Sequence, residues 1–232
     1  MKLGTLTAFS AGMVNVISVI VFFSFTSNVT GHYAILAQEI ARGNWYQSSV
    51  VVMWIFLFFV GNFVSNMCVI HWNSANGRFL AHALPLTLEI LCLVFSGVYL
   101  QNFYHESLNE TEILVGVMLF AMGLQNGLTA SISNSKVKTT HLTGLTTDLG
   151  IFFSMMTRKE FREDRKIVEK GQLLLMIMFS YLGGGIASGI IFYEIGYYTL
   201  YVVCLILCLI IIYDLSKLSM KRKRLRKIRE SN

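Results

Sequence analysis

The chain has 232 residues, of which 54% are hydrophobic and 14% charged, well below the roughly 25% charged residues of a soluble domain. Its net charge of +6 sits mainly in two short blocks beside apolar segments, residues 158–170 and 217–229, as at cytoplasmic membrane flanks. That composition excludes an ordinary soluble domain, and the placement of charge argues against nucleic acid as a partner.

A bilayer core about 30 Å thick needs about 20 apolar residues of helix. On that basis six segments are drawn in chain order: 5–25, 47–70, 79–100, 113–133, 173–192 and 197–213. Residues 29–41 and 140–156 are helical in pattern but shorter or more polar, which suits half-membrane or interfacial helices. The ten-residue alternation of a transmembrane β-barrel is absent. Asn15 interrupts the first apolar segment and no small-residue cleavage site follows it, so no cleavable signal peptide is expected. The charged run 158–166 mixes signs at helical spacing and reads as a solvated helix extension; the run 221–227 reads as a topogenic tail near anionic headgroups. With the N-terminus inside and six crossings, every Lys and Arg except Arg42 falls on the cytoplasmic side, so both termini are expected there.

Two halves share an order of features. Gly12-Met13-Val14-Asn15 is matched by Gly123-Leu124-Gln125-Asn126, and Thr26-Ser27-Asn28-Val29-Thr30-Gly31 by Thr139-Thr140-His141-Leu142-Thr143-Gly144. A basic residue follows each, Arg42 or Arg158, and then a helix with small central residues, Gly61 and Ser65 or Gly183, Gly184, Gly185 and Gly189. The offsets are 123 − 12 = 111, 144 − 31 = 113 and 183 − 61 = 122. Three crossings per half is an odd number, so the second half must be inverted, a common transporter design. The fold expected is an all-α membrane protein of about six transmembrane helices in two inverted three-helix repeats, each with an extra short or half-membrane helix. The first repeat is 1–104 and the second 105–216, with a charged insertion at 157–170 and a basic tail at 217–232.

Gly123-Leu124-Gln125-Asn126 with Thr139-Thr140-His141-Leu142-Thr143-Gly144, and the Thr-Gly element of the first half, resemble the YoaK-like bacterial membrane proteins, DUF1275. The first-half copy departs from that pattern at Ser27-Asn28. The resemblance implies a multi-pass protein of the bacterial cytoplasmic (inner) membrane and implies no substrate.

Thr and Asn cap helix N-termini, whose N–H groups must be satisfied in lipid. If 29–41 and 140–156 begin inside the membrane, their positive dipole ends suit an anionic or polar solute. The candidate solute-binding residues are Asn15, Asn28, Thr30, Gly31, Gln125, Asn126, Thr140, Thr143 and Gly144; the bland alternative is that they cap helices or join them. Glu89 sits mid-segment near Pro85, where an ionised group costs about 2.5–3.5 kcal/mol. His82, two turns earlier and on roughly the same face, and Asp148 complete the proton-coupling candidates. Glycines 183, 184, 185 and 189 read as close helix packing. The four cysteines lie in apolar segments, the five histidines are scattered, and no hydrolase or metal motif is present, so no metal, cofactor or enzymatic activity is expected. The partners expected are the lipid bilayer and a small solute, with room for a homo-oligomer. The function expected is a small-solute transporter or channel; the alternative is a non-transporting scaffold or regulatory protein.

Overall fold

The computed structural model describes residues 2–72, 78–132 and 142–230, and the side chains of 4–72, 79–131 and 142–216. Thr139, Thr140, His141 and the side chains of the basic tail lie outside the described residues. Within them the regular elements are all helices: α1 (Lys2–Phe22), α2 (Val29–Ala41), α3 (Trp45–His71), α4 (Arg78–Asn102), α5 (Leu108–Ile132), α6 (Leu142–Met155), α7 (Lys159–Glu163), α8 (Arg165–Ile195) and α9 (Thr199–Glu230). Five stretches are long and apolar enough to cross a membrane: Gly4–Phe22, Trp45–His71, Phe79–Asn102, Leu108–Ser131 and Arg165–Ser216. The last, 52 residues long, holds α8 and the apolar part of α9, parted by a 3-10 turn at Gly196–Tyr198. Gly196, at φ +59, ends α8 in a conformation that L side chains rarely adopt.

Local chemistry sets several helix ends beyond the apolar runs. Ser107 and Glu110 form a reciprocal cap: Ser107 N–H donates to Glu110 Oε2 at 3.3 Å and Glu110 N–H to Ser107 Oγ at 3.4 Å. α5 therefore starts five residues before the apolar segment read from the sequence. The charged run 158–166 is two helices rather than one extension. Asp164, in extended conformation, ends α7 and caps α8 by accepting from Lys166 N–H at 2.8 Å. α4 runs unbroken through Pro85.

Helices α1 and α5 form the inside of the bundle: 61% and 72% of their apolar windows are buried, against 28% for α3. α1 packs along α8, and α5 along α3. Both pairs cross where a glycine faces a partner's main chain. A side chain on Gly12 would collide with the Tyr181 carbonyl, and one on Gly184 with the Phe9 carbonyl. In the other pair, Gly123 meets the Phe58 carbonyl and Gly61 the Phe120 carbonyl. Between apolar helices in lipid, van der Waals packing is the main attraction, and removing Cβ lets the backbones approach. Gly183 and Gly189 contribute little to this, since a Cβ there would have its nearest neighbours at 4.0 and 3.8 Å. Of the expected glycine cluster, Gly184 and Gly185 make the close contact. On the outside, Phe56, Phe59, Phe63, Met67 and Ile70 of α3, and Phe179, Leu182, Ile186, Ile190 and Tyr193 of α8, form exposed apolar stripes at helical spacing.

After Phe22 the chain reverses instead of continuing as helix to Phe25. Ser18 Oγ donates to the Ser24 carbonyl at 2.8 Å, and Asn15 reaches Thr26 and Ser27. Asn15 lies seven residues below Phe22, about 10 Å along α1. The segment 23–28 thus folds back beside α1, and α2 starts well inside the bundle before running out to the Trp45 end of α3.

Candidate functional site

The fold-back is held from three sides. Asn15 Oδ1 accepts from Thr26 N–H at 3.1 Å and from Thr26 Oγ1 at 3.2 Å, while its Nδ2 donates to Ser27 Oγ at 2.6 Å and to the Ala11 carbonyl at 3.3 Å. His32 Nε2 lies 2.9 Å from the Phe25 carbonyl, with its ring against Trp54 at a centroid distance of 5.5 Å. Asn28 caps α2 by accepting from Gly31 N–H at 3.2 Å. A Cβ on Gly31 would sit 2.9 Å from Asn28 Nδ2, so the missing side chain makes room for the cap.

A cavity of about 310 Å³ opens where this loop meets the second half. Ser27, Asn28, Val29 and Thr30 line one side, and Leu142 and Thr143, at the start of α6, another. Phe58 of α3 and Tyr181 of α8 supply aromatic walls, with Phe25 and Asn126 completing the lining. Neither the Thr30 nor the Thr143 hydroxyl makes a hydrogen bond among the described residues. Asn126 Nδ2 donates to Asn62 Oδ1 at 3.3 Å, and Asn62 Nδ2 to the Phe58 carbonyl at 2.8 Å, which ties the α5 amide to α3. Among the described residues, no Lys, Arg, Asp or Glu lines the cavity. Hydroxyls, amides and the first turns of α2 and α6 are what it offers a ligand.

Of the residues singled out from the sequence, Asn28, Thr30, Asn126 and Thr143 line this cavity. Asn15 and Gln125 are buried in the helix packing instead. Gly31 and Gly144 are in the first turns of α2 and α6, and Thr140 lies outside the described residues. Gln125 belongs to a second polar layer: its Nε2 donates to Ser10 Oγ at 2.7 Å and to Glu89 Oε1 at 3.1 Å, joining α5 to α1 and α4. Glu89 is fully buried, and its Oε2 and the Gln125 Oε1 have no hydrogen-bond partner among the described residues. His82 does not join Glu89; its Nδ1 is 2.6 Å from Asp214 Oδ2 of α9. Asp148 faces Lys170 at 3.5 Å, on the surface. Phe58, Asn62, Tyr181 and Asp214 escaped the sequence reading. For the two aromatic walls a signal existed, since each stands three residues before a crossing glycine. For Asp214, near the end of an apolar run, there was none.

Among the described residues no group of three or more His, Cys, Asp or Glu could hold a metal ion. The fold and this cavity define a helical protein of the multi-pass membrane type, with a polar chamber between the first turns of α2 and α6 and helices α3, α5 and α8. The chain belongs to the family described as Protein of unknown function (DUF1275), whose model matches residues 3–213. No curated protein matches the chain. No solved structure matches it either.

Proposed function

We propose that this protein is a small-solute transporter or channel of the bacterial cytoplasmic membrane, with the 310 Å³ cavity as its solute site. One observation carries the reading: Thr30 and Thr143, 143 − 30 = 113 residues apart and each one position before the glycine of its Thr-Gly element, line the same chamber. Helices that begin inside the bundle and point their N-termini at a polar cavity are the way membrane transporters build solute sites. The solute is small and polar, neutral or anionic, met by the hydroxyls, amides and helix dipoles that line the cavity.

The reading includes two inverted repeats and six crossings, α1, α3, α4 and α5, α8, α9, with α2 and α6 as half-membrane helices and both termini in the cytoplasm. Matched helix crossings support it. Phe9 and Gly12 correspond to Phe120 and Gly123, since 120 − 9 = 111 and 123 − 12 = 111; Phe58 and Gly61 correspond to Tyr181 and Gly184, since 181 − 58 = 123 and 184 − 61 = 123. The exposed stripes correspond at the same interval, from Phe56 and Phe179 (179 − 56 = 123) to Ile70 and Tyr193 (193 − 70 = 123). Glu89 is the candidate coupling group.

The test is flux into proteoliposomes for a panel of inorganic anions, short carboxylates, urea and small polyols. At least one solute is expected to move, and Thr30→Val with Thr143→Val to slow it at least about tenfold, the loss of roughly 1.4 kcal/mol of polar contact. Flux unchanged in the double variant, or no flux for any solute, overturns the proposal.

A further inference from the structure

At the end of the bundle that carries Glu106, Glu110 and Glu112 there is a second cavity, of about 410 Å³, which shares no lining residue with the first. Its walls are aromatic: Phe22 and Phe23 at the end of α1, Tyr104 in the connection between α4 and α5, Phe192 of α8 and Tyr197 of the 3-10 turn. Two pairs are edge-on, Phe22 with Tyr104 at 6.1 Å and 89°, and Phe192 with Tyr197 at 6.0 Å and 71°, so the walls turn ring planes in different directions. Tyr104 is held by a 2.8 Å hydrogen bond between its hydroxyl and Oγ1 of Thr111, which also lines the cavity.

Glu106 lines the same cavity. The other two glutamates of this connection are engaged: Glu110 accepts from Ser107 Oγ and Tyr99 OH, and Glu112 from Tyr46 OH. The Glu106 carboxylate makes no hydrogen bond or ion pair among the described residues. Residues 101–112 contain no Lys or Arg to neutralise it.

Among the described residues two non-glycine residues have positive φ, Phe23 at 53° and Glu106 at 58°, and both line this cavity. A left-handed residue after a helix is ordinarily glycine, because any Cβ is strained there. Phe23 occupies that position with its side chain 92% exposed, so core packing does not account for it. Strain of this kind concentrates at ligand clamps.

We propose that this cavity is a binding site for an alkylammonium cation, held over the ring faces of Phe22, Tyr104 and Tyr197 and balanced by the Glu106 carboxylate. The π faces attract a cation within about 6 Å, and most strongly one that sheds water easily, as methylated ammonium does. The group has two sources, a soluble quaternary amine or the headgroup of a choline lipid, and the chemistry is shared.

The test is calorimetric titration of the purified full chain in maltoside micelles with choline and with its uncharged isostere 3,3-dimethylbutanol. Choline is expected to bind saturably and the isostere at least about tenfold more weakly, because the ring quadrupole discriminates by charge. Glu106→Gln, on an exposed connection, and Tyr197→Leu are each expected to weaken choline at least about fivefold, while Tyr197→Phe keeps the ring face and the affinity. Equal binding of the isostere, no choline binding, or wild-type affinity in both weakened variants overturns the proposal. Repeating the titration in phosphatidylcholine and phosphatidylglycerol nanodiscs separates the sources: loss of the choline signal in phosphatidylcholine alone assigns the site to a lipid headgroup, and its persistence in both to a soluble amine. The readout is binding, so its outcome is independent of the flux experiment.

Discussion

Alanine at Gly184 puts a methyl group against the Phe9 carbonyl, well inside any contact that a real Cβ makes. The obstacle is main chain on the neighbouring helix, so no rotamer change relieves it. α8 must move away from α1 by an amount on the order of 1 Å, and the contacts packed along that seam are strained or lost together. Forcing a methyl group into a filled interface costs about 1–3 kcal/mol, and lipid returns none of it, since apolar surface gains nothing by leaving one helix for an acyl chain. The sequence supplies an internal control one residue away: at Gly183 the nearest atom to an added Cβ is Phe9 Cε2 at 4.0 Å, an ordinary contact. Gly184→Ala is therefore expected to lower stability by about 1–3 kcal/mol and Gly183→Ala to change it by under about 0.5 kcal/mol. Gly123→Ala and Gly61→Ala, facing Phe58 and Phe120 carbonyls, should match Gly184→Ala. Unfolding by dodecyl sulfate in mixed micelles, followed by tryptophan fluorescence, measures each. If Gly184→Ala and Gly183→Ala are equally stable, the glycine crossings do not hold the bundle and the reasoning fails.

Asn15→Leu removes the acceptor of the Thr26 N–H and hydroxyl, and an orphaned buried N–H alone costs about 1–3 kcal/mol; amide hydrogen exchange over residues 23–28 should accelerate, while Asn15→Asp, which keeps an acceptor, should protect better. Asp214→Ala leaves His82 without its 2.6 Å partner and is expected to lower stability by about 1–3 kcal/mol, with Asp214→Asn milder; equal thermal midpoints for all three chains would remove this contact from the account of how α4 holds α9. Glu89→Gln keeps an oxygen to accept from Gln125, so folding and solute exchange should persist while uptake driven by a pH gradient is lost; gradient-driven uptake at the wild-type rate would exclude Glu89 as the coupling group.

The membrane-type helices were legible because their signal is additive: twenty apolar residues outweigh any single polar one. The pairing of α1 with α8 and α5 with α3 was not, since glycine is abundant in apolar helices and only the geometry distinguishes Gly184, against backbone, from Gly183, at ordinary distance from a side chain. The fold-back after Phe22 was hidden for a similar reason, because Phe23, Ser24 and Phe25 extend the apolar run while the chain has already turned. What reverses it is Asn15, whose amide bonds to residues eleven and twelve positions later, a non-local pairing that helical periodicity does not encode. The early start of α5 was readable in Ser107-Leu108-Asn109-Glu110, a capping pattern that hydropathy alone passes over. His82 and Glu89 share a helix face in spacing, yet His82 reaches across to Asp214 of α9, a contact between helices that spacing along α4 does not encode.

The two polar layers answer different physical problems, and that separates their roles. The layer of Ser10, Gln125 and Glu89 is sealed between α1, α4 and α5, with Glu89 and Gln125 fully buried. A network of that kind fixes how three helices meet, and two of its acceptors, Glu89 Oε2 and Gln125 Oε1, remain unmatched within it. The cavity layer instead spends its tightest bonds on holding the loop, through Asn15 and Asn28, and leaves the hydroxyls of Thr30 and Thr143 uncommitted beside an open volume. Thr30 and Thr143 are both exposed, so their hydroxyls are open to water or a solute at no burial cost. The cavity walls, Phe58 and Tyr181, belong to α3 and α8, the outer members of the two glycine-crossed pairs. A shift of one pair against the other therefore changes the chamber while each crossing stays intact.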